Sequence, residues 1–179
     1  MTTTEQTVVQ QTKTWLKKIV IGLKLCPFAE QPFQSDSISY TVSSGDSTEQ
    51  HLQQLADDFT KLDTDTSIET SLLIYPDAYQ TFEQYLQLLE LANGLLEDLN
   101  YTGIYQIASF HPDYQFQGSA ENDASNFSNR SPWPMLHLIR EDSLKKILAS
   151  YPDIEQIPEN NIKKLRDIGF QQIKILSQH

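Results

Sequence analysis

Four short stretches of this chain have strand composition, and helix-period segments separate most of them. SISYTVS, from Ser37 to Ser43, alternates Ile38, Tyr40 and Val42 with small polar residues, as a half-buried strand does. ETSLLIYP (Glu69 to Pro76), GIYQIASF (Gly103 to Phe110) and MLHLIR (Met135 to Arg140) are richer in apolar residues and of strand length. Ahead of the first strand, Val8, Trp15, Leu16, Ile19, Val20 and Leu23 recur every three or four residues and predict a helix from about Glu5 to Leu25, stopped by Pro27. Asp46 or Ser47, with Glu49, can cap a second helix running to about Leu62, and Phe82, Leu86, Leu89 and Leu96 mark a third from about Asp77 to Leu99. Helices near Asp142 to Ala149 and Ile154 to Ile168 follow, and Phe170 to Leu176 reads as a short edge strand. Such alternation implies an α/β sandwich with a sheet of four or five strands, parallel or mixed, covered by helices.

A chain of 179 residues that is 39% hydrophobic and 21% charged can bury one real core, so a single globular domain spanning residues 1–179 is expected, with residues 1–6 and 177–179 frayed. No run is long enough to span a bilayer, and the polar opening MTTTEQTVVQQ does not read as a signal peptide, so a cytoplasmic protein is expected. Cys26 is the single cysteine, which leaves no internal disulfide and no thiolate-rich zinc site. The net charge of -11 argues against nucleic acid as a partner. The first helix carries Lys13, Lys17, Lys18 and Lys24, but its apolar side is too rich to be left exposed, which argues against a membrane-surface role. Oligomeric state stays open.

Between the third and fourth strands lies a long polar stretch with no clear helix or strand, SFHPDYQFQGSAENDASNFSNRSPWPMLHLIR with its flanks. Irregular segments of this length inside compact domains are usually functional or disordered, and residues 111–134 are read as a structured site loop. WLKKIVIGLKLCPFA, SFHPDYQF and NRSPWPMLHLIRE, with the spacing between them, resemble an uncharacterised bacterial family, domain of unknown function 1415, over about Val8 to Gly169. The resemblance implies a stand-alone bacterial domain and assigns no residue a role.

The candidate site residues therefore rest on residue type and position. His111 stands just past a strand, where α/β folds place binding loops, with Asp113 near enough to orient its ring if the chain turns back and Tyr114 able to donate to a substrate oxygen. The same His-Pro-Asp sequence also suits a plain surface turn. Asn126 is expected to face a ligand pocket together with His111 and Arg130, and Arg130, inside SNRSP, can hold a carboxylate or phosphate bidentately or tie the loop down through its carbonyls. His137 should share a face with Met135 and Ile139, as a core histidine or a ligand contact, while Arg140 points the other way with Leu136 and Leu138.

Cys26 falls on the apolar stripe of the first helix, which favours packing; as a nucleophile it would need a histidine to offset the helix C-terminus. No metal site is expected, since His111, His137 and Asp113 or Glu141 are scattered and no paired motif occurs. The calcium-loop start at Asp63 fails at Ile68 and Ile74, common nucleotide loops are missing, and the cofactor is left unknown. Two classes remain. One is an enzyme on a small polar or anionic molecule, with His111 as acid or base and Arg130 as anion holder. The other is a non-catalytic binding or regulatory module in which Cys26 is only structural.

Overall fold

The computed structural model describes residues 4–148 and 154–178. Ala149, at the end of one expected helix, lies outside them, as do residues 1–3 and His179 of the expected frayed ends. Glu5 and Gln6 are already helical, capped by the Thr4 side chain.

Helix α1 runs over Glu5–Trp15 and widens into a π-helical turn over Leu16–Ile21; it is followed by the short α2 (Glu30–Gln34) and β1 (Ile38–Val42). Then come α3 (Thr48–Thr64), β2 (Thr70–Ile74), α4 (Phe82–Asp98), β3 (Tyr105–Phe110), a 3-10 turn (Ala124–Ser128), β4 (Met135–Arg140), α5 (Glu141–Leu148), α6 (Ile157–Ile168) and α7 (Phe170–Leu176). The fold is α/β, with the sheet ordered β1-β2-β4-β3. It is mixed: β1 and β2 are parallel, and β4 runs antiparallel to both β2 and β3.

Each face of the sheet carries its own core. Leu72, Ile74 and Met135 meet Val8, Trp15, Leu16, Ile19 and Val20, with Leu165 and Ile173 of α6 and α7 on the same side. Leu73, Leu136 and Leu138 meet Leu55, Phe59 and Leu62 of α3 and Tyr85, Leu88 and Ala92 of α4. Covered on both sides, β2 is buried at every residue, which is why its sequence is a continuous run rather than an alternation. At the edge, β1 sends Ile38, Tyr40 and Val42 toward the α1 layer. Its polar residues turn to α3, where Thr41 and, from β2, Ser71 donate to the two oxygens of buried Asp58 (2.9 and 2.7 Å) and Lys61 donates to Ser39.

Three expectations change. The first helix does not reach Leu25 as one α-helix: Gly22 and Leu25 donate to carbonyls five residues back, at Lys17 and Val20, and Lys24 turns left-handed at φ 52°. The wide turn lets Trp15, Leu16, Ile19 and Val20 all be buried, and a Cβ at Gly22 would collide with the Lys18 carbonyl. Phe170–Leu176 is a helix rather than a fifth strand, set off from α6 by Gly169 at φ 85°; Phe170 and Ile173, three residues apart, turn inward while Ile175 stays 60% exposed. The third helix begins at Phe82, because the Thr81 side chain with Gln84 forms the capping box and Asp77 is left in the loop.

Candidate functional site

The 111–134 loop is held by its own side chains. Buried Asn126 is saturated: its Oδ1 accepts from the Phe116 amide (3.1 Å) and the Ser119 hydroxyl (2.8 Å), while its Nδ2 donates to the Ala120 (2.9 Å) and Glu121 (3.4 Å) carbonyls. Arg130 donates from Nε to the Tyr114 carbonyl (3.0 Å) and from Nη2 to the Glu121 carbonyl (2.8 Å), with its guanidinium over the Phe127 ring. From across the core the Trp15 indole donates to the Arg130 carbonyl at 2.9 Å. Asp123 caps the 3-10 turn through the Ser125 amide and pairs with Arg166; the Arg166 hydrogen bond, with that of the Ser125 amide, holds the carboxyl well below its usual range. Asn126→Ala is expected to cost about 2 to 3 kcal/mol, because several buried polar groups lose partners together. Urea unfolding measures this, and a loss under about 0.5 kcal/mol would contradict it.

His111 belongs to the same framework. It is fully buried, its Nδ1 accepting from the Asp113 amide (3.0 Å) and its Nε2 facing the Tyr79 carbonyl (3.0 Å). An amide only donates and a carbonyl only accepts, so the proton sits on Nε2 and both nitrogens are engaged. Burial lowers the pKa. It is the Asp113 amide that meets the ring, and the Asp113 side chain is exposed. Tyr114 is half-buried, its hydroxyl 3.4 Å from that of Ser109.

Tyr79 joins a second histidine to this one. Its backbone is left-handed at φ 55°, and its hydroxyl lies 2.7 Å from Nδ1 of buried His51, whose Nε2 faces the Gly45 carbonyl at 2.9 Å. The carbonyl again fixes the proton on Nε2, so the Tyr79 hydroxyl donates to Nδ1. Nothing in the local sequence marks His51, because Tyr79, which closes the pair, comes from the connection after β2.

The other candidates separate by sheet face. Arg140 lies on the α3 side: its guanidinium donates to the Leu62 and Ile68 carbonyls and to the Tyr105 hydroxyl (3.1 Å), closing the α3–β2 connection. His137 lies on the α1 side, on the floor of a cavity of about 160 Å³ walled by Trp15, Leu16, Val20, Phe28, Phe110 and Ile139, with Cys26, Ser143 and Leu144 also lining it. The floor is a cross-strand row in which His137 pairs with Leu72 on one side and Ala108 on the other. Ala108 is short, and its missing bulk leaves the space open. Cys26 and His137 therefore share a cavity, whereas His111, Asn126 and Arg130 are absent from its lining. Cys26 lies beyond the helix rather than on its stripe, because the chain has already turned at Lys24; burial raises its thiol pKa.

The hydrogen bonds of His137 fix its tautomer. The Thr70 hydroxyl donates its one proton to the Leu138 carbonyl (2.5 Å), so toward His137 Nε2, 2.6 Å away, it can only accept. The ring proton is on Nε2, and Nδ1 is a lone pair with no hydrogen-bond partner among the described residues. The ring sits deep enough that burial lowers its pKa to about 4, yet it is not closed off, since it borders the cavity.

A helix-covered mixed sheet with a cavity on one face defines a three-layer α/β domain. The chain belongs to the family described as Protein of unknown function (DUF1415), whose match covers residues 7–175. No curated protein and no solved structure matches it. Among the described residues no helix is long and apolar enough to cross a membrane, and no group of three or more His, Cys, Asp or Glu side chains is placed to hold a metal ion.

Proposed function

We propose that this domain binds a small, largely apolar molecule in the cavity between the sheet and the layer formed by α1, the π-helical turn, α2 and α5. One observation carries the reading: a space of about 160 Å³, walled by aromatic and aliphatic side chains, holds a half-open imidazole in its floor. Apolar cavities near 150 Å³ are large enough for a benzene-sized guest. Of the two functional classes, the binding module is the better supported. Both nitrogens of His111 that would do acid-base work are engaged by backbone groups, of Asp113 and Tyr79, and two donor positions of the Arg130 guanidinium that would hold an anion are bonded inside the loop. The -11 net charge supports a partner other than nucleic acid.

Titration of the protein with toluene, followed by NMR of the methyl groups of Leu16, Val20, Leu72 and Ile139, is expected to give saturable shifts confined to the cavity. Ala108→Leu should fill the space and abolish them while the spectrum elsewhere stays folded. Unsaturable shifts spread over the surface in the unsubstituted protein, or unchanged binding in Ala108→Leu, would overturn the reading.

A further inference from the structure

Taking that binding reading as its basis, we infer that the ligand is a neutral aromatic molecule carrying one O–H or N–H donor, and that His137 Nδ1 is the acceptor that selects it. The tautomer argument supplies the acceptor. Because the Thr70 proton is committed to the Leu138 carbonyl, Thr70 holds the His137 proton on Nε2 and leaves the other nitrogen aprotic. With Nδ1 left without a protein partner among the described residues, on a half-buried ring that lines an apolar space, a guest that brings a proton to it is favoured, since an unpaired acceptor kept from water costs free energy.

The rest of the lining narrows the class. Trp15, Phe28 and Phe110 present aromatic rings, with Trp15 and Phe110 edge-to-face at 5.2 Å between centroids, a surface suited to stacking or edge contact with another ring. Among the described residues Glu69 is the one charged residue of the lining, and no lysine or arginine joins it. An anion would meet a carboxylate and a lone pair. A cation would have to shed its hydration among hydrocarbon walls. The remaining polar lining groups add no competing charge: Thr70 has its hydroxyl engaged with His137 and Leu138, and the Cys26 thiol and Ser143 hydroxyl are neutral.

Phenol and toluene differ by a hydroxyl in place of a methyl and so isolate the donor; benzoate and benzylammonium test charge. In the unsubstituted protein phenol is expected to bind at least as tightly as toluene, although it surrenders a hydration hydrogen bond on entry. The 15N resonance of His137 Nδ1 should move upfield with phenol and stay with toluene. His137→Phe keeps a ring of similar size and removes the acceptor, and there the ratio of phenol to toluene affinity should fall about tenfold, the worth of one hydrogen bond. Should the variant fold poorly, the two measurements on the unsubstituted protein still decide. Toluene binding clearly more tightly than phenol with a stationary Nδ1 signal, or an affinity ratio unchanged in a folded His137→Phe, overturns the inference and leaves the binding reading standing. Tighter binding of benzoate or benzylammonium overturns the neutral class. Failure of all four probes to bind overturns both.

Discussion

Replacing Trp15 with alanine is expected to lower stability by about 3 to 5 kcal/mol, the largest effect of any single truncation on the α1 side of the sheet. Trp15 is 1% exposed, meets Phe110 edge-to-face, lines the cavity, and is the α1 residue that donates a hydrogen bond to the 111–134 loop, through the Arg130 carbonyl. The substitution therefore enlarges an existing void and orphans a carbonyl at once, two losses that the packing cannot heal by collapsing. Trp15→Phe keeps most of the volume and loses only the indole donor, so about 1 to 3 kcal/mol is expected from it. Urea unfolding of both variants separates the terms. A loss within about 1 kcal/mol for the alanine variant would mean the α1 layer does not anchor the loop.

Acid should destabilise the protein well before its carboxylates titrate. The pKa of His137 is lowered to about 4 by burial, below an unfolded-state value of about 6.5, so the unfolded chain takes up the proton first. The corresponding stability is fully present above about pH 6.5 and is lost as the pH falls toward 4, amounting to about 3 kcal/mol for this one group. His111, whose pKa burial also lowers, pulls in the same direction. Unfolding midpoints measured between pH 7 and 4.5 should fall steeply for the natural sequence and less steeply for His137→Phe. Parallel acid limbs would show that His137 is not held neutral in the fold.

How much of this was written in the sequence differs by level. The strands were legible because β2 and β4 are covered on both faces and so read as apolar runs, and the reading of His137 opposite Arg140 follows from the two-residue period alone. Phe170–Leu176 misled because Ile173 and Ile175 imitate a strand, whereas the helix depends on Phe170 and Ile173 finding one core. Short α2 was missed since Pro32 argues against a helix in so brief a segment, though proline is tolerated in a first turn. The cavity was invisible: Ala108, Trp15 and His137 are far apart along the chain, and only the register between β3 and β4 makes the small residue a neighbour of the imidazole. His111 stood at a strand end, as a functional histidine would, but its partner Tyr79 comes from a distant loop and no local spacing could reveal it.

Tyr79 uses two different groups to hold two different histidines, its carbonyl for His111 and its hydroxyl for His51, which in turn holds Gly45. The connection after β1, the connection after β2 and the start of the long loop after β3 are thereby latched by one left-handed residue. Local opening in proteins proceeds in roughly contiguous cooperative units. At this end of the sheet the latch joins three loops distant in sequence, so opening any one of them alone breaks a hydrogen bond to a buried histidine, and Trp15 extends the same tie to α1 through the Arg130 carbonyl.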